Sequence, residues 1–237
     1  MDERRHVIAL LPMKGHSERV PNKNLRAFAG KPLYHHIMET LLACPLIERV
    51  VVDTDSEPIA DDVQEHFRSG ADILWRPEAI RGDVVSMNRI IAYDLSQCSG
   101  TAFLQTHSTN PLLKASTVRR AIERFLEPGP HDSLFGVTRL QARCYDAAGA
   151  PVNHRPEEML RTQDLPPVYL ENSNLYLFSR ASFAAQGRRI GERPVLFEIG
   201  KLEAIDIDDE LDFRLAERLA QCQPLMAAAE AGVRGMA

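Results

Sequence analysis

Short apolar runs alternate with amphipathic segments through most of the chain, and this alternation restricts the folds available to it. Seven runs have the continuous apolar, β-branched character of buried strands. The predicted strands are 6–11, 49–55, 72–75, 101–106, 133–138, 174–179 and 195–199. Apolar residues recur with helical spacing at 32–44, 57–67, 84–95, 115–126 and 208–222. Strands alternating with helices over short connections indicate an α/β fold, with a mostly parallel sheet covered by helices on both faces.

Composition narrows the class of protein. The 237 residues are 44% hydrophobic and carry a net charge of −5, as expected for a globular domain that is not a general nucleic-acid binder. No apolar run reaches the roughly 20 residues of a membrane span, and the N-terminal residues do not resemble a signal peptide. The four cysteines are scattered without metal-ligand spacing. We therefore expect a single cytoplasmic domain, 1–237, that binds no membrane and no nucleic acid.

The alternation breaks at Arg139. Residues 139–170 are mostly polar, rich in proline and weakly periodic. A structureless loop of that length is improbable inside a compact domain. We predict that 139–170 is an inserted arm that packs on a second subunit, so that the protein is a homodimer.

The first predicted strand runs directly into a basic loop, LPMKGHSERVPNKN, which spans 11–24. In an open α/β sheet, ligands bind beyond the carboxyl ends of the strands. Gly15 allows a close backbone approach, and Lys14, Arg19 and Lys23 can hold phosphate oxygens. The loop matches neither GxxxxGK[ST] nor GxGxxG. Its composition is compatible both with a phosphate-binding loop and with a solvated surface loop.

Two carboxylates near the C-terminus have the spacing of a metal clamp. Asp206 and Asp208 lie two residues apart, so in an extended segment their side chains share a face. Carboxylate oxygens are preferred Mg²⁺ ligands. The alternative is a charged strand end or helix cap, and Asp209 is well placed to cap the last helix.

Four histidines have possible roles in binding or packing. His16 and His107 are either proton carriers or ordinary loop and packing residues, while His35 and His36 fall in a predicted helix and are expected to be structural.

Seven short motifs follow one another along nearly the whole chain. They are PMKGHSERVPNKN at 12–24, GKPL at 30–33, DTD at 53–55, RPE at 76–78, STNPL at 108–112, ENSNLY at 171–176 and AIDIDDELD at 204–212. The ordered set resembles the acylneuraminate cytidylyltransferase family, whose members make CMP-sialic acids and related CMP-nonulosonates. The resemblance implies a Rossmann-like nucleotidyltransferase. The enzyme would transfer CMP from CTP to an acidic keto-sugar with Mg²⁺ and release pyrophosphate, and the arm 139–170 would reach the neighbour's acceptor site.

The resemblance also implies roles for individual residues. The catalytic group comprises Lys14, Lys23, Asp206 and Asp208, of which the two aspartates hold Mg²⁺. The nucleotide-binding group comprises Pro12, Gly15, Ser17, Arg19, Asn24, Asp55, Arg76 and Ser86. The acceptor-binding group comprises Gln105, His107, Thr109, Asn172 and Tyr176.

The chain departs from the family pattern at four positions. Lys14 replaces an arginine, Glu18 replaces a lysine, His107 falls near a strand-end glutamine, and Leu170 stands where some members have arginine. We expect Glu18 to aim away from the α-phosphate. The departures leave the acceptor open between a nonulosonate, a phosphonate and a 3-deoxy-octulosonate. A non-catalytic nucleotide-binding homologue is a further alternative.

Overall fold

The computed structural model describes residues 7–158 and 160–234, with side chains described as far as 222. His6, the first residue of the predicted strand 6–11, lies outside the described residues. In chain order the strands and helices are β1 (Val7–Met13), β2 (Ala27–Phe28), β3 (Lys31–Pro32), α1 (Leu33–Leu42), β4 (Ile47–Thr54), α2 (Glu57–His66), β5 (Ala71–Trp75), α3 (Met87–Gln97), β6 (Ala102–Thr106), α4 (Ala115–Leu126), β7 (Ser133–Leu140), β8 (Val168–Ser179), α5 (Arg180–Gln186), β9 (Pro194–Glu198) and α6 (Glu210–Arg234).

Seven strands form one sheet in the order β5-β4-β1-β6-β8-β7-β9. β8 pairs antiparallel with both β6 and β7, and every other pairing in the sheet is parallel. One hydrophobic cluster unites α1, α2 and α4 with the sheet, and a second unites α3 and α5 with it. The predicted α/β class, with a mostly parallel sheet covered by helices on both faces, is confirmed.

Side chains alternate between the two faces of a strand, and this alternation determines which residues lie on the α3 side of the sheet at the carboxyl ends of its strands. Phe103 of β6 packs in the α3 cluster, so Gln105, two residues on, faces the same side. Gln105 lies opposite Tyr176 of the antiparallel β8, and Pro12 of β1 lies opposite Asp53 of β4. Polar groups from β4, β6 and β8 therefore gather on the α3 side, at the carboxyl ends of the parallel strands.

All seven predicted sheet strands are present, but the sequence pattern missed one helix. Ser179 is the N-cap of α5: its hydroxyl accepts a hydrogen bond from the Ser182 amide, and the Ser179 amide donates one to the Ser182 hydroxyl. With only seven residues, α5 is too short to show a helical period in the sequence. Ser56 occupies the N-cap position of α2, but its side chain makes no capping hydrogen bond.

The arm is tied together by polar contacts. β7 and β8 pair out to Leu140 and Val168, beyond the ends predicted for them, and residues 141–167 connect the two strands. The Asn153 amide donates to the carbonyls of Ala142 and Pro166, at 2.8 and 2.9 Å. Several apolar side chains of the arm and of the adjoining strand remain exposed, among them Tyr145, Val152, Leu160, Tyr169 and Leu170.

The histidines expected to be structural make structural contacts. The His35 ring lies 2.6 Å from an Asp62 carboxylate oxygen, joining α1 to α2, and His36 lies 2.9 Å from the Phe28 carbonyl. Of the cysteines, Cys44 is buried and Cys222 is exposed. Within the described part of the chain, no helix has both the length and the apolar character needed to cross a bilayer.

Candidate active site

A cleft of about 410 Å³ opens at the carboxyl ends of the parallel strands. It contains nine of the residues predicted to bind or act on substrates: Pro12, Lys14, Ser17, Arg19, Lys23, Asn24, Arg76, His107 and Thr109. Gly82, Asp83, Val85 and Met87, which lead into α3, line the facing wall. The basic loop after β1 therefore lies on a cleft, which supports the phosphate-binding interpretation over that of a solvated surface loop.

The basic loop is held at its middle and at its C-terminal end. Val20 is buried in a cluster with Phe28, Ile207 and Phe213, which anchors the middle of the loop to α6. Asn24 donates to the Lys14 carbonyl at 3.0 Å and accepts from the Ser108 hydroxyl at 2.7 Å. Asn24 therefore closes the loop and joins it to the turn after β6, in addition to lining the cleft.

A hydrogen bond between Gly15 and Asp55 fixes the basic loop to the end of β4. The Gly15 amide donates to the Asp55 carboxylate at 2.7 Å. A Cβ at Gly15 would lie 2.8 Å from the Cβ of Ser56, which is closer than side-chain carbons approach one another. Neither residue lines the cleft. Their predicted role in nucleotide binding is therefore indirect in this structure, through the shape of the loop.

The basic residues of the cleft meet acidic or carbonyl partners. Lys14 forms an ion pair with Asp83, and Arg19 forms one with Asp208 at 2.8 Å. The Lys23 ammonium donates to the Ile207 carbonyl at 2.7 Å. The Lys14–Asp83 and Arg19–Asp208 pairs are largely exposed, so they contribute little to stability and can open when a more highly charged anion enters.

Asp206 and Asp208 face the basic loop because the residue between them is buried. Ile207 packs in the cluster with Val20 and Phe213, and its amide donates to the Thr109 carbonyl at 3.0 Å. Burial raises the pKa of Asp206, while a hydrogen bond from Thr109 opposes the rise. Burial lowers the pKa of Lys23, and the two aspartates oppose that shift.

The aspartate pair is distinct from the cap of α6. The Asp212 amide donates to Asp209 at 2.9 Å, and the amides of Asp208 and Asp209 donate to the Asp212 carboxylate. The expectation that Asp209 caps the last helix is confirmed. Asp206 takes no part in the cap, and its Oδ1 atom is buried without a hydrogen-bond partner. A buried, unpartnered carboxylate oxygen next to a second carboxylate is a donor set that fits a divalent cation.

Arg76 is fixed by a buried ion pair with Asp53. Its Nε atom donates to Asp53 at 2.5 Å, and both side chains are almost completely removed from water. Burial and the neighbouring Asp53 carboxylate raise the pKa of Asp94, on α3. A proton on Asp94 can satisfy the otherwise unpartnered Oδ2 of Asp53. Arg76 thus presents a fixed positive charge to the cleft.

Gln105, His107 and Tyr176, all predicted to bind the acceptor, lie close together; His107 lines the cleft, whereas Gln105 and Tyr176 are fully buried behind it. The Gln105 amide nitrogen lies 3.2 Å from His107 Nε2. Burial lowers the pKa of His107 to about 3, assisted by the positive charges of Arg189 and Lys23. His107 is therefore neutral at physiological pH. The lowered pKa favours the packing alternative for His107 over that of a proton carrier.

Two predicted site residues stand apart from these groups. Asn172 is 8% exposed, and its amide donates to the Thr138 hydroxyl at 3.2 Å rather than joining Gln105 and Tyr176. Ser86 is exposed at the start of α3 and does not line the cleft.

Four charged residues of the site were not predicted from the sequence. They are Asp53, Asp83, Asp94 and Arg189. Asp53 belonged to a recognised motif, DTD. The other three lie outside the recognised motifs, and only the folded chain brings them to the site.

A mostly parallel sheet, a basic loop after its first strand and a carboxylate pair beside that loop define a nucleotidyltransferase. The cytidylyltransferase family matches residues 8–231, and the chain belongs to that family. The resemblance to acylneuraminate cytidylyltransferases is confirmed by relatives as well. A CMP-N,N'-diacetyllegionaminic acid synthase of Legionella pneumophila is 28% identical over 91% of this chain and 96% of its own length.

Other relatives are longer proteins. N-acylneuraminate cytidylyltransferase A of Danio rerio is 27% identical over 90% of this chain and 50% of its own length. The N-acylneuraminate cytidylyltransferase of Escherichia coli is 23% identical over 92% of this chain and 53% of its own length. The chain thus spans about half the length of these two relatives.

Solved structures share the fold at low sequence identity. A CMP:2-keto-3-deoxy-manno-octonic acid synthetase complexed with CTP superposes with a TM-score of 0.67 at 14% identity, covering 92% of this chain and 98% of that one. A 4-diphosphocytidyl-2C-methyl-D-erythritol synthase of Anaerococcus prevotii gives the same TM-score and coverage at 11% identity.

Glu18 and Lys23 both line the cleft, and we predict opposite outcomes for their substitution. Glu18 is exposed and has no ion-pair partner among the described residues, so Glu18→Gln should change the CTP KM and kcat by less than about threefold. Lys23→Ala removes a partly buried charge and should abolish most pyrophosphate release. A large loss in Glu18→Gln, greatest at low Mg²⁺, would contradict this and place the carboxylate at the metal.

Proposed function

We propose that the protein transfers CMP from CTP to a small acidic keto-sugar of the nonulosonate class, with release of pyrophosphate. The observation that carries the proposal is the convergence of Lys14, Arg19, Lys23 and Arg76 on one cleft, beside a buried carboxylate with an unpartnered oxygen. A local cationic cleft on a protein of net charge −5 favours a small polyanion over an extended one. The relative from Legionella supports the acceptor class.

The reaction requires positioning and charge neutralisation. A hydroxyl of the acceptor attacks the α-phosphorus of CTP, and the bond to the β-phosphate oxygen breaks as pyrophosphate leaves. Lys14, Arg19 and Lys23 bind the phosphate oxygens on which negative charge increases. Lys14 and Arg19 exchange their present carboxylate partners, Asp83 and Asp208, for phosphate. Because these two ion pairs break when CTP binds, we expect the conformation of the basic loop to change on binding.

A divalent cation fits beside the basic loop. Asp206 and Asp208 would hold it, since Asp206 Oδ1 is buried without a partner and Asp208 has only an exposed arginine to release. When bound, Mg²⁺ neutralises charge on the phosphates and orients them. Lys23 interacts electrostatically with both carboxylates, so its positive charge limits their mutual repulsion.

The acceptor remains a choice between related acids. A nonulosonate is preferred because the relative from Legionella, matched over 96% of its own length, is a CMP-N,N'-diacetyllegionaminic acid synthase. A phosphonate or a 3-deoxy-octulosonate presents a similar oxyanion and is the second candidate. A non-catalytic nucleotide-binding homologue is disfavoured because Lys23 lines the cleft and both aspartates are retained next to the basic loop, Asp208 as the partner of Arg19.

Pyrophosphate release tests the reaction directly. We expect turnover with CTP and Mg²⁺ in the presence of N-acetylneuraminate or N,N'-diacetyllegionaminate, with much weaker turnover of UTP, ATP or GTP. The panel should include 3-deoxy-manno-octulosonate and 2-hydroxyethylphosphonate as rival acceptors. Equal turnover of all four nucleotides would contradict cytidylyl specificity. Binding of CTP without turnover of any acceptor would favour the non-catalytic alternative.

The aspartate pair is tested against a matched control in the adjacent cap. Asp206→Asn and Asp208→Asn should each reduce kcat roughly tenfold to a thousandfold, because each removes a charge that Mg²⁺ prefers. Raising the Mg²⁺ concentration should restore part of the loss. Asp209→Asn should retain activity, since asparagine is an equally good N-cap. Near-normal kcat in both site variants would mean that the pair has no metal-binding role.

We also propose that the protein is a cytoplasmic homodimer whose interface includes the arm. Its exposed apolar side chains, among them Tyr145, Val152 and Leu160, lie beside the exposed Tyr169 and Leu170 of β8. A second copy would remove such side chains from water. Analytical ultracentrifugation at micromolar concentration should show a dimer, and Tyr145→Ser with Val152→Ser should shift it towards monomer. A wild-type monomer under these conditions would contradict the proposal.

A further inference from the structure

Arg189 is a guanidinium held beside the acceptor-binding residues by a short loop. It lies between α5 and β9, and its backbone amide donates to the Asn88 side chain of α3 at 3.3 Å. The guanidinium carbon lies 3.4 Å from the centre of the Tyr176 ring, and one nitrogen donates to the Gln105 carbonyl oxygen. Stacking on Tyr176 covers one face, so the N–H groups at the edge point in fixed directions.

The contacts of Arg189 leave its charge incompletely matched. Its side chain is 17% exposed, and its nearest carboxylate, on Glu171, lies 3.9 Å away. That carboxylate already accepts a hydrogen bond from the Tyr176 hydroxyl. A guanidinium has five N–H donors, and among the described residues only Gln105 accepts one from Arg189. A charge withdrawn from water and so weakly paired is costly unless an anion completes the site.

A continuous set of side chains connects this guanidinium to the phosphate end of the cleft. Arg189 donates to Gln105, and the amide nitrogen of Gln105 lies 3.2 Å from His107. His107 in turn lines the cleft together with Lys23. The His107 imidazole thus links the part of the cleft that contains Lys23 to the guanidinium of Arg189. An acceptor lying along His107 would direct one end towards the α-phosphate and the other towards Arg189.

We propose that Arg189 binds the oxyanion of the acceptor through its guanidinium edge, while Gln105 and Tyr176 hold that edge in place. The inference rests on the proposed function and assigns its acceptor specificity to a particular residue. The ligand chemistry is a carboxylate, or a phosphonate of similar geometry, since both match the paired N–H groups of arginine. A neutral analogue of the acceptor would lack the group that Arg189 recognises.

Comparing each acid with its neutral methyl ester distinguishes recognition of the acceptor's anion by Arg189 from a purely structural role of Arg189. The wild-type enzyme should prefer N-acetylneuraminate and N,N'-diacetyllegionaminate to their methyl esters, and should be tested with 2-hydroxyethylphosphonate as the phosphonate source. Arg189→Gln should raise the KM of the acid roughly tenfold to a hundredfold, as expected for one charge-assisted hydrogen bond. It should leave the KM of the ester and of CTP within about twofold. Arg189→Lys should recover part of the preference for the acid.

The matched control is Arg188→Gln, which removes the same charge from an exposed position one residue away and should change neither KM. Melting temperatures of all three variants should agree within a few degrees, and Arg189→Lys provides the comparison if the glutamine variant is unstable. An equal loss for acid and ester, or an unchanged KM for the acid, would overturn the assignment of Arg189.

The proposed reaction and the proposed role of Arg189 can be tested independently of each other. If the wild-type enzyme binds CTP but turns over none of the probes, the reaction is contradicted. Calorimetry with the same three acids, in the presence of CTP and Mg²⁺, then decides the role of Arg189. Binding to the wild-type protein that is lost in Arg189→Gln would support the anion site. Equal binding to both proteins, or binding to neither, would overturn it.

Discussion

The site depends on the burial of Ile207 against Val20. These residues come from opposite ends of the chain, and both are fully buried in the cluster formed with Phe28, Leu33 and Phe213. Their packing holds the basic loop against the aspartate segment, which allows Lys23 to reach the Ile207 carbonyl. Since hydrophobic burial has no directional requirement, the hydrogen bonds of Lys23 and Thr109 determine the register of the two segments.

A second constraint acts on the far side of the loop. Arg26 makes a two-point ion pair with Glu210, at 2.5 and 2.9 Å, and its guanidinium lies 4.0 Å from the centre of the Phe213 ring. Arg26 thereby ties the chain after the loop to the first turn of α6. The backbone around the cleft is held by buried and bidentate contacts, whereas Lys14 and Arg19 are held by exposed ion pairs. The side chains of Lys14 and Arg19 can therefore move while the framework stays fixed.

The positively charged side chains of the cleft lie in two environments: Arg76 is buried, whereas Lys14 and Arg19 are exposed. Arg76 is held by a buried ion pair with Asp53, so its position is set before any ligand arrives. Lys14 and Arg19 are held by exposed ion pairs, which they would give up for phosphate in the proposed reaction. Preorganised charge lowers the reorganisation needed during reaction, while mobile charge allows a substrate to enter and pyrophosphate to leave. Both properties are needed in an enzyme that releases a highly charged product.

The sequence alone determined the α/β class, the presence and order along the chain of the seven sheet strands, and the family, but not the full length of β7 and β8. These features follow from local periodicity and from ordered motifs, which do not require knowledge of distant contacts. It also predicted the basic loop and the aspartate pair, because residue type and close spacing carry their chemistry. The short helix α5 escaped detection because seven residues are too few to reveal a period.

Only the tertiary structure decided which residues of different segments meet. Asp83, Asp94 and Arg189 belong to no recognised motif, yet the fold places them at Lys14, Asp53 and Gln105, respectively. It also turned Asn172 towards Thr138, although its motif had suggested the acceptor site. The physical reason is that strand order and pairing register determine which side chains share a sheet edge. Both depend on the packing of the whole chain, which no local pattern of residues records.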